Sequence, residues 1–318
     1  KGVMIEHRNV VRLMINDSIQ FDFSQEDVWT VFHSFCFDFS VWEMYGPLLY
    51  GGKLVVIPKD IARSPRRYLE LLKKEEVTVV NQTPTAFYNL SNEEMKTEDK
   101  QLKIRYIIFG GEALKPMMLK DFKEKYPKTK LINMYGITET TVHVTYKEIT
   151  EKEIETNISN IGVPIPTLSC YILDSHLQLV PIGVAGEICV GGAGVARGYL
   201  NRPQLTAEKF VENPFRPGER LYRSGDLGRR LSNGEMEYLG RIDRQVKIRG
   251  FRIELGEIEK QLLNYNQIRD VVVMAQEDNS GDKYLAAYFV AKGKLSNKEI
   301  RQHLGQELPT YMIPAYLI

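Results

Sequence analysis

Between Val28 and Asn133 the chain repeats one pattern: a short apolar run, a turn, then a segment with helical spacing. Val28 to Phe37 reads as strand, and Val41 to Leu49 as helix closed by Gly51-Gly52. Lys53 to Ile57 is a short strand. Ser64 caps a helix through Leu72 that starts with Pro65, because proline at the first helical position gives up an amide with no helical partner. Val77 to Asn81, Ile104 to Phe109 and Lys130 to Asn133 read as strands, and Thr83 to Leu90 and Lys115 to Lys125 as helices. Parallel neighbours need a crossover that a helix supplies, so this alternation confines the chain to a largely parallel sheet covered by helices. Ligands in such sheets sit beyond the carboxyl ends of strands. Asp38, Asn81, Gly110 and Met134 each follow such an end, so four segments converge on one crevice.

The character changes after Ile161, where short β runs separated by Gly, Pro and Asn take over. Asn233-Gly234 is a strong hairpin signal. This region, to about Gly240, reads as a β-rich subdomain resembling a small barrel. After Asp243 comes a compact α+β unit: strands at Gln245 to Ile248, Val271 to Ala275 and Tyr284 to Val290, and helices at Glu254 to Leu263 and Ser296 to Leu304. Ser296 and Glu299 have capping-box spacing. The expected division of the 318 residues is therefore a core over 1–242 and a small domain over 243–318.

Lys+Arg 42 against Asp+Glu 41 leaves a net charge of +1, which argues against nucleic-acid or membrane-surface partners. The three cysteines, Cys36, Cys170 and Cys189, show no zinc spacing; Cys36 and Cys189 stand in apolar runs and read as core thiols in a reducing cytoplasm. Both ends break off in mid-phrase, so the chain reads as a piece of something longer.

Leu131 to His143, LINMYGITETTVH, is the stretch best suited to a ligand. A strand, a glycine turn and a Thr/Glu-rich restart gather backbone amides at one place, which suits a phosphate. Glu139 offers oxygen to a hard cation such as Mg²⁺, and Tyr135 a flat face to a purine. The plainer alternative is an ordinary helix capped by Thr138. Gly191 to Gly198 is rich in glycine but fits no nucleotide fingerprint, so its glycines read as turn-formers. Asp226 follows a glycine turn and suits a ribose diol, against the plain reading of a solvated turn residue. Arg241 heads a densely charged stretch that is either an exposed hairpin or a phosphate-facing edge. Asp38 stands among Phe37, Phe39 and Trp42 and needs a partner there, either a helix terminus or a ligand ammonium. His33 and His143 read as structural.

Taken in order, these phrases resemble the adenylation domain of a nonribosomal peptide synthetase, in the adenylate-forming superfamily. The phrases are Lys1-Gly2-Val3, Phe37 to Ser40, Asn133 to Glu139, Gly186 to Gly192, Tyr222 to Leu227, Gly240 to Glu259 and Leu308 to Pro314. The resemblance implies an α/β adenylate-forming fold, N- and C-terminally truncated here. It implies two half-reactions: an amino-acid carboxylate attacks the α-phosphate of Mg·ATP, and a carrier-protein phosphopantetheine thiol then takes the aminoacyl group. The implied partners are the carrier and condensation domains of a cytoplasmic synthetase of antibiotic or siderophore biosynthesis. ATP would meet Gly111, Glu112, Ala113, Asn133, Tyr135, Gly136, Thr138, Asp226 and Arg241, with Glu139 on magnesium. Catalysis falls to Thr138, Glu139, Arg241 and Asp243, the last as hinge of the small domain. Arg249 and Gly250 would line the thiol's approach.

The family's substrate lining falls on Asp38, Phe39, Trp42, Asn81, Ile108, Gly110, Met134, Val142 and His143. Asp38 would pair with the α-ammonium, while Asn81 and His143 put hydrogen-bonding groups in an otherwise apolar slot. That lining resembles threonine-activating domains, so the expected substrate is L-threonine. Ile137 replaces the family's usual proline. The alternatives are an acyl-CoA ligase of the same superfamily and a catalytically incompetent fragment.

Overall fold

The apolar runs from Val28 onward form a sheet with both faces covered. The computed structural model describes residues 2–16, 18–243, 245–248, 250–278, 283–293 and 295–318. It divides into two compact units, Lys1–Ile242 and Asp243–Ile318.

The first unit opens with α1 (His7–Met14), β1 (Val28–Val31), α2 (Phe39–Tyr50) and β2 (Lys53–Val56). Then come α3 (Lys59–Ala62), α4 (Pro65–Lys74), β3 (Val79–Gln82), α5 (Pro84–Glu94), β4 (Tyr106–Phe109), α6 (Lys120–Lys125) and β5 (Lys130–Asn133). β2, β1, β3, β4 and β5 lie side by side and parallel, each pairing with the next. Successive residues of each strand feed opposite faces. Tyr106 and Ile108 join a core with Trp29, Trp42 and Met134, while Ile107 and Phe109 join another with Tyr68, Leu72, Phe87 and Phe122. Each such side chain contributes about 1.5–3 kcal/mol by leaving water.

Three expectations about these elements need correction. The first strand stops at Val31 rather than Phe37, because the amides of Phe32 and His33 both donate to the Glu43 carboxylate instead of a neighbouring strand. Cys36 follows on the departing loop and is exposed; only Cys170 and Cys189 are buried. The helix expected over Lys115 to Lys125 is a 3-10 turn, Pro116–Leu119, followed by α6, and the Met117 amide donates to Asn157 Oδ1.

The path continues antiparallel through β6 (Thr145–Glu148), with α7 (Glu151–Thr156) between it and β7 (Asn160–Pro164). β8 (Leu168–Leu173), β9 (Ala185–Gly192), α8 (Pro203–Lys209), β10 (Phe210–Glu212), β11 (Arg220–Arg230) and β12 (Met236–Arg241) complete the unit. The strand order from β5 is β6, β7, β12, β11, β9, β8, so the β-rich region is joined edge-on to the parallel sheet. Lys147 on β6 pins the junction, with its ammonium 2.9 Å from Glu153 and 2.8 Å from Glu235. Asn233-Gly234 makes the β11–β12 turn, with Gly234 at φ 86°.

The second unit has a hairpin, β13 (Gln245–Ile248) and β14 (Phe251–Glu254), then α9 (Leu255–Leu263) and the antiparallel pair β15 (Ile268–Glu277) and β16 (Lys283–Ala291). α10 (Asn297–Glu307) returns the chain to β17 (Tyr316–Leu317), parallel to β16. Ile253, Ile258, Leu262, Val273, Ile300 and Leu304 form its core. Ser296 holds the N-cap position of α10, but its side chain makes no capping bond, so the expected capping box is absent.

Candidate functional site

The stretch after β5 is a tight reversal rather than the start of a helix. The Tyr135 carbonyl accepts from the amides of both Val144 and Thr145, at 2.8 and 3.1 Å. A Cβ on Gly136 would lie 1.7 Å from the Val142 carbonyl oxygen, so only glycine permits this crossing. In between, Thr138–Thr140 makes one 3-10 turn. Thr141 and Val142 then take left-handed φ values of 66° and 63°, which ends any helical continuation. Thr138 is therefore no helix cap; Ile137 holds that position, and the Thr138 hydroxyl donates to Asp38 Oδ2 at 2.8 Å.

The loop after β9 supports this reversal. Thr141 Oγ1 donates to the Gly194 carbonyl at 2.8 Å, and the Ala196 amide to the Glu139 carbonyl at 2.9 Å. The glycine-rich stretch read as a plain turn is thus the backing of the candidate site. Glu139 is 3% exposed, and its Oε1 accepts the Tyr199 hydroxyl at 2.7 Å. That hydroxyl lies 3.0 Å from the Tyr222 hydroxyl. Burial, then the Glu139 charge, push the Tyr199 phenol strongly up, so it stays a donor. Sequence reasoning missed Tyr199 and gave Tyr222 no role. The available signal was a tyrosine directly after Gly198.

A second constellation forms around Asp226, which lies within β11 and is fully buried, not on a solvated turn. Tyr135 donates to its Oδ2 at 2.7 Å, and Arg241, at the end of β12, donates to its Oδ1 at 2.9 Å. Arg241 also donates to the Ser224 carbonyl, and the Asp226 amide to Ser224 Oγ. Burial and the Asp226 charge hold the Tyr135 phenol well above its ordinary pKa. Its ring is 6% exposed and lies 6.0 Å from the Tyr238 ring. Asn133 is buried, with its amide donating to the Asn160 carbonyl. Gly111 turns at φ 82° after β4, Glu112 Oε2 accepts from the Thr85 amide, and Ala113 is exposed.

The nine candidate lining residues fall around the carboxyl ends of β3, β4 and β5 and the start of α2. Asp38 holds the N-cap position of α2 without capping it. His143 packs edge-on against Trp42 at 4.8 Å and Phe39 at 5.1 Å. Trp42 Nε1 donates to Asn81 Oδ1 at 3.0 Å. Asn81 stands beside Ile108 in the β3–β4 register. A Cβ on Gly110 would lie 3.2 Å from the Phe39 ring and 3.4 Å from the Met134 carbonyl. Val142 is buried. Asn81 Nδ2 and both ring nitrogens of His143 are buried with no hydrogen-bond partner among the described residues. Burial, then the Arg12 charge, lower the His143 pKa to about 3, so its ring is neutral. His33 is structural, with Nδ1 2.9 Å from Glu43 Oε1.

In the second unit, Asp243 is exposed and accepts from the Gln245 amide at 3.1 Å. Gly250 turns at φ 79° between β13 and β14. Arg249 lies outside the described residues.

The family described as AMP-binding enzyme matches residues 1–200, and the AMP-binding enzyme C-terminal domain matches residues 257–318. A plipastatin synthase polypeptide of Bacillus subtilis is 57% identical over the whole chain, and the dimodular nonribosomal peptide synthase of the same organism is 51% identical over the whole chain. The chain spans only 12% and 14% of these relatives' lengths. An NRPS protein containing adenylation and PCP domains superposes with a TM-score of 0.87 at 28% identity, over 99% of this chain and 62% of that one. A Vibrio cholerae adenylation domain in complex with glycyl-adenosine-5'-phosphate gives 0.85 at 25% identity, over 99% and 60%.

Proposed function

Because the chain belongs to the AMP-binding enzyme family, we propose that it is part of a nonribosomal peptide synthetase adenylation domain that activates L-threonine. In the first half-reaction a substrate carboxylate oxygen bonds to the α-phosphorus of ATP. The bond to the β-phosphate oxygen breaks, and pyrophosphate leaves. In the second, a phosphopantetheine thiol on a carrier domain bonds to the acyl carbon, and AMP leaves.

One observation carries this reading: the Asp38 carboxylate and the Thr138 hydroxyl are hydrogen-bonded at 2.8 Å. Asp38 suits the α-ammonium, and Thr138 lies in the turn suited to phosphate. An amino acid held by its ammonium at Asp38 would therefore bring its own carboxylate towards that turn, and such proximity is a large part of the rate advantage in a two-substrate reaction. Asp226, whose carboxylate orientation Tyr135 and Arg241 fix, would accept from the ribose diol. Glu139, whose Oε1 accepts from Tyr199, would offer its carboxylate to magnesium, which takes one or two carboxylates beside substrate phosphates. When bound, that ion would neutralise phosphate charge. Asp243 would serve as hinge, with Gly250 on the thiol's path.

The threonine assignment rests on the orphaned polar atoms. Trp42 uses the Asn81 acceptor, leaving that side chain an amide donor. Neutral His143 adds one donor and one acceptor. A hydroxyl can satisfy such groups, while a purely aliphatic side chain leaves them unpaired. Buried Phe39, Trp42 and Met134 would give the threonine methyl group apolar neighbours. The test is ATP–pyrophosphate exchange by the full-length protein with threonine, allo-threonine, serine, valine and 2,4-diaminobutyrate. Valine should lose about four decades and serine about one to two. Valine equal to threonine would refute the assignment, and no exchange with any amino acid would refute the function.

A further inference from the structure

Arg12 lies on α1, more than 120 residues from the turn at Thr138–Thr141, and is 8% exposed. Its Nε donates to the Asn9 carbonyl at 3.0 Å and its Nη1 to Thr167 Oγ1 at 3.1 Å. Its Nη2 donates to the carbonyls of Thr140 and Thr141, at 2.9 and 3.3 Å. All four acceptors are neutral. A buried guanidinium ordinarily meets a carboxylate, since desolvating a cation is costly without one. Burial lowers its pKa to about 10, so it remains a cation at neutral pH.

The surroundings are built to admit this group. A Cβ on Gly194 would lie 2.2 Å from Arg12 Nη2 and 2.7 Å from the Thr140 carbonyl oxygen. Only glycine leaves that passage open. The two carbonyls that Arg12 grips belong to the reversal where Thr141 and Val142 take left-handed backbone conformations. β-branched residues hold such conformations only where their surroundings fix them. Arg12 therefore grips the turn immediately after Thr138 and Glu139, and among the described residues no carboxylate pairs with the positive charge it brings to the turn's back.

We propose that Arg12 is a positioning residue for the adenylation reaction, fixing the Thr138–Thr141 turn and lending it positive potential for the ATP phosphates. The inference rests on the functional reading above. A neutral strut would hold the turn at less desolvation cost, whereas a cation there favours an anionic ligand.

The test compares Arg12→Met and Arg12→Lys with the wild type in the full-length protein. It measures exchange turnover and, by calorimetry, affinity for ATP and for adenosine. Arg12→Met should lower turnover about a hundredfold, the effect of a misplacement of about 1 Å. ATP should bind about tenfold more weakly, while adenosine affinity stays within about twofold. Arg12→Lys keeps the charge but loses the planar fork. It should retain ATP affinity and still lose about tenfold in turnover, and it decides the matter if Arg12→Met does not fold. Turnover of Arg12→Lys equal to wild type would overturn the positioning role. So would parallel loss of ATP and adenosine binding, which marks a purely structural residue. If the wild type binds ATP but exchanges with no amino acid, the functional reading fails and the contrast between ATP and adenosine still judges Arg12. A wild type that binds no ATP overturns both.

Discussion

Removing the Arg241 side chain tests the Asp226 constellation most directly. The pair is deeply buried, with side chains 7% and 0% exposed and a contact of 2.9 Å. Arg241→Met deletes the cation and its second bond to the Ser224 carbonyl, while Tyr135 still donates to Asp226. Stranding a buried carboxylate in this way costs about 3–5 kcal/mol. Replacing both partners, as in Asp226→Asn with Arg241→Met, should restore about 2 kcal/mol or more, because the stranded charge is gone. The chain's two tryptophans, Trp29 and Trp42, are both buried in the first unit, so their fluorescence follows that unit alone during urea unfolding. With an m-value of about 3 kcal/mol per molar, Arg241→Met should lower the midpoint by roughly 1–1.7 M. A shift below about 0.3 M would show that the pair contributes little. A double variant no more stable than the single one would show that stranded charge is not the cause.

His143 should make the first unit acid-sensitive. Its folded pKa of about 3 lies below the ordinary 6.5, so protons bind the unfolded chain first and stability falls as pH drops through 6.5 towards 3. The loss between pH 7 and 5 is about 2 kcal/mol, and His143→Asn should abolish that share in urea titrations at the two pH values. Thiol labelling should find one reactive cysteine, Cys36, in the folded chain and three after denaturation, because burial pushes Cys170 and Cys189 up to about 12. Glu139→Gln should cut pyrophosphate exchange in the full-length protein by about two to three decades; near-wild-type exchange would remove Glu139 from the reaction. Asp243→Pro fixes φ at the first residue of the second unit and should impair adenylation and thiol transfer unequally; equal losses in a folded protein would count against a hinge.

The parallel strands were legible because a strand buried on both faces is a continuous apolar run, as at Tyr106–Phe109 and, more briefly, at Leu131 and Ile132. The crevice followed, since strand ends gather whatever residues come next. What stayed hidden was held by distant partners. Thr138 looks like a helix cap until Asp38, 100 residues away, takes its hydroxyl. Tyr199 reaches Glu139 across 60 residues, and Arg12 reaches Thr140 across 128. No local spacing encodes such contacts. Nor does sequence show that Thr141 and Val142 adopt left-handed backbone, because neither residue type favours it. Cys36 was misplaced for a related reason: its apolar neighbours suggested a strand that the Glu43 carboxylate had already diverted.

The crossing at Gly136 separates two kinds of freedom in this molecule. Backbone meets backbone there without room for one methyl group, while the His143 ring, just across the crossing, packs against Trp42 and Phe39. On the proposed function, a library randomised at 143 would explore new substrates while the main chain at 136 stays as it is. The same library extended to 136 would return almost solely misfolded chains, because every side chain there meets the Val142 carbonyl, so variation at this crossing is confined to the residues around a fixed knot of main chain.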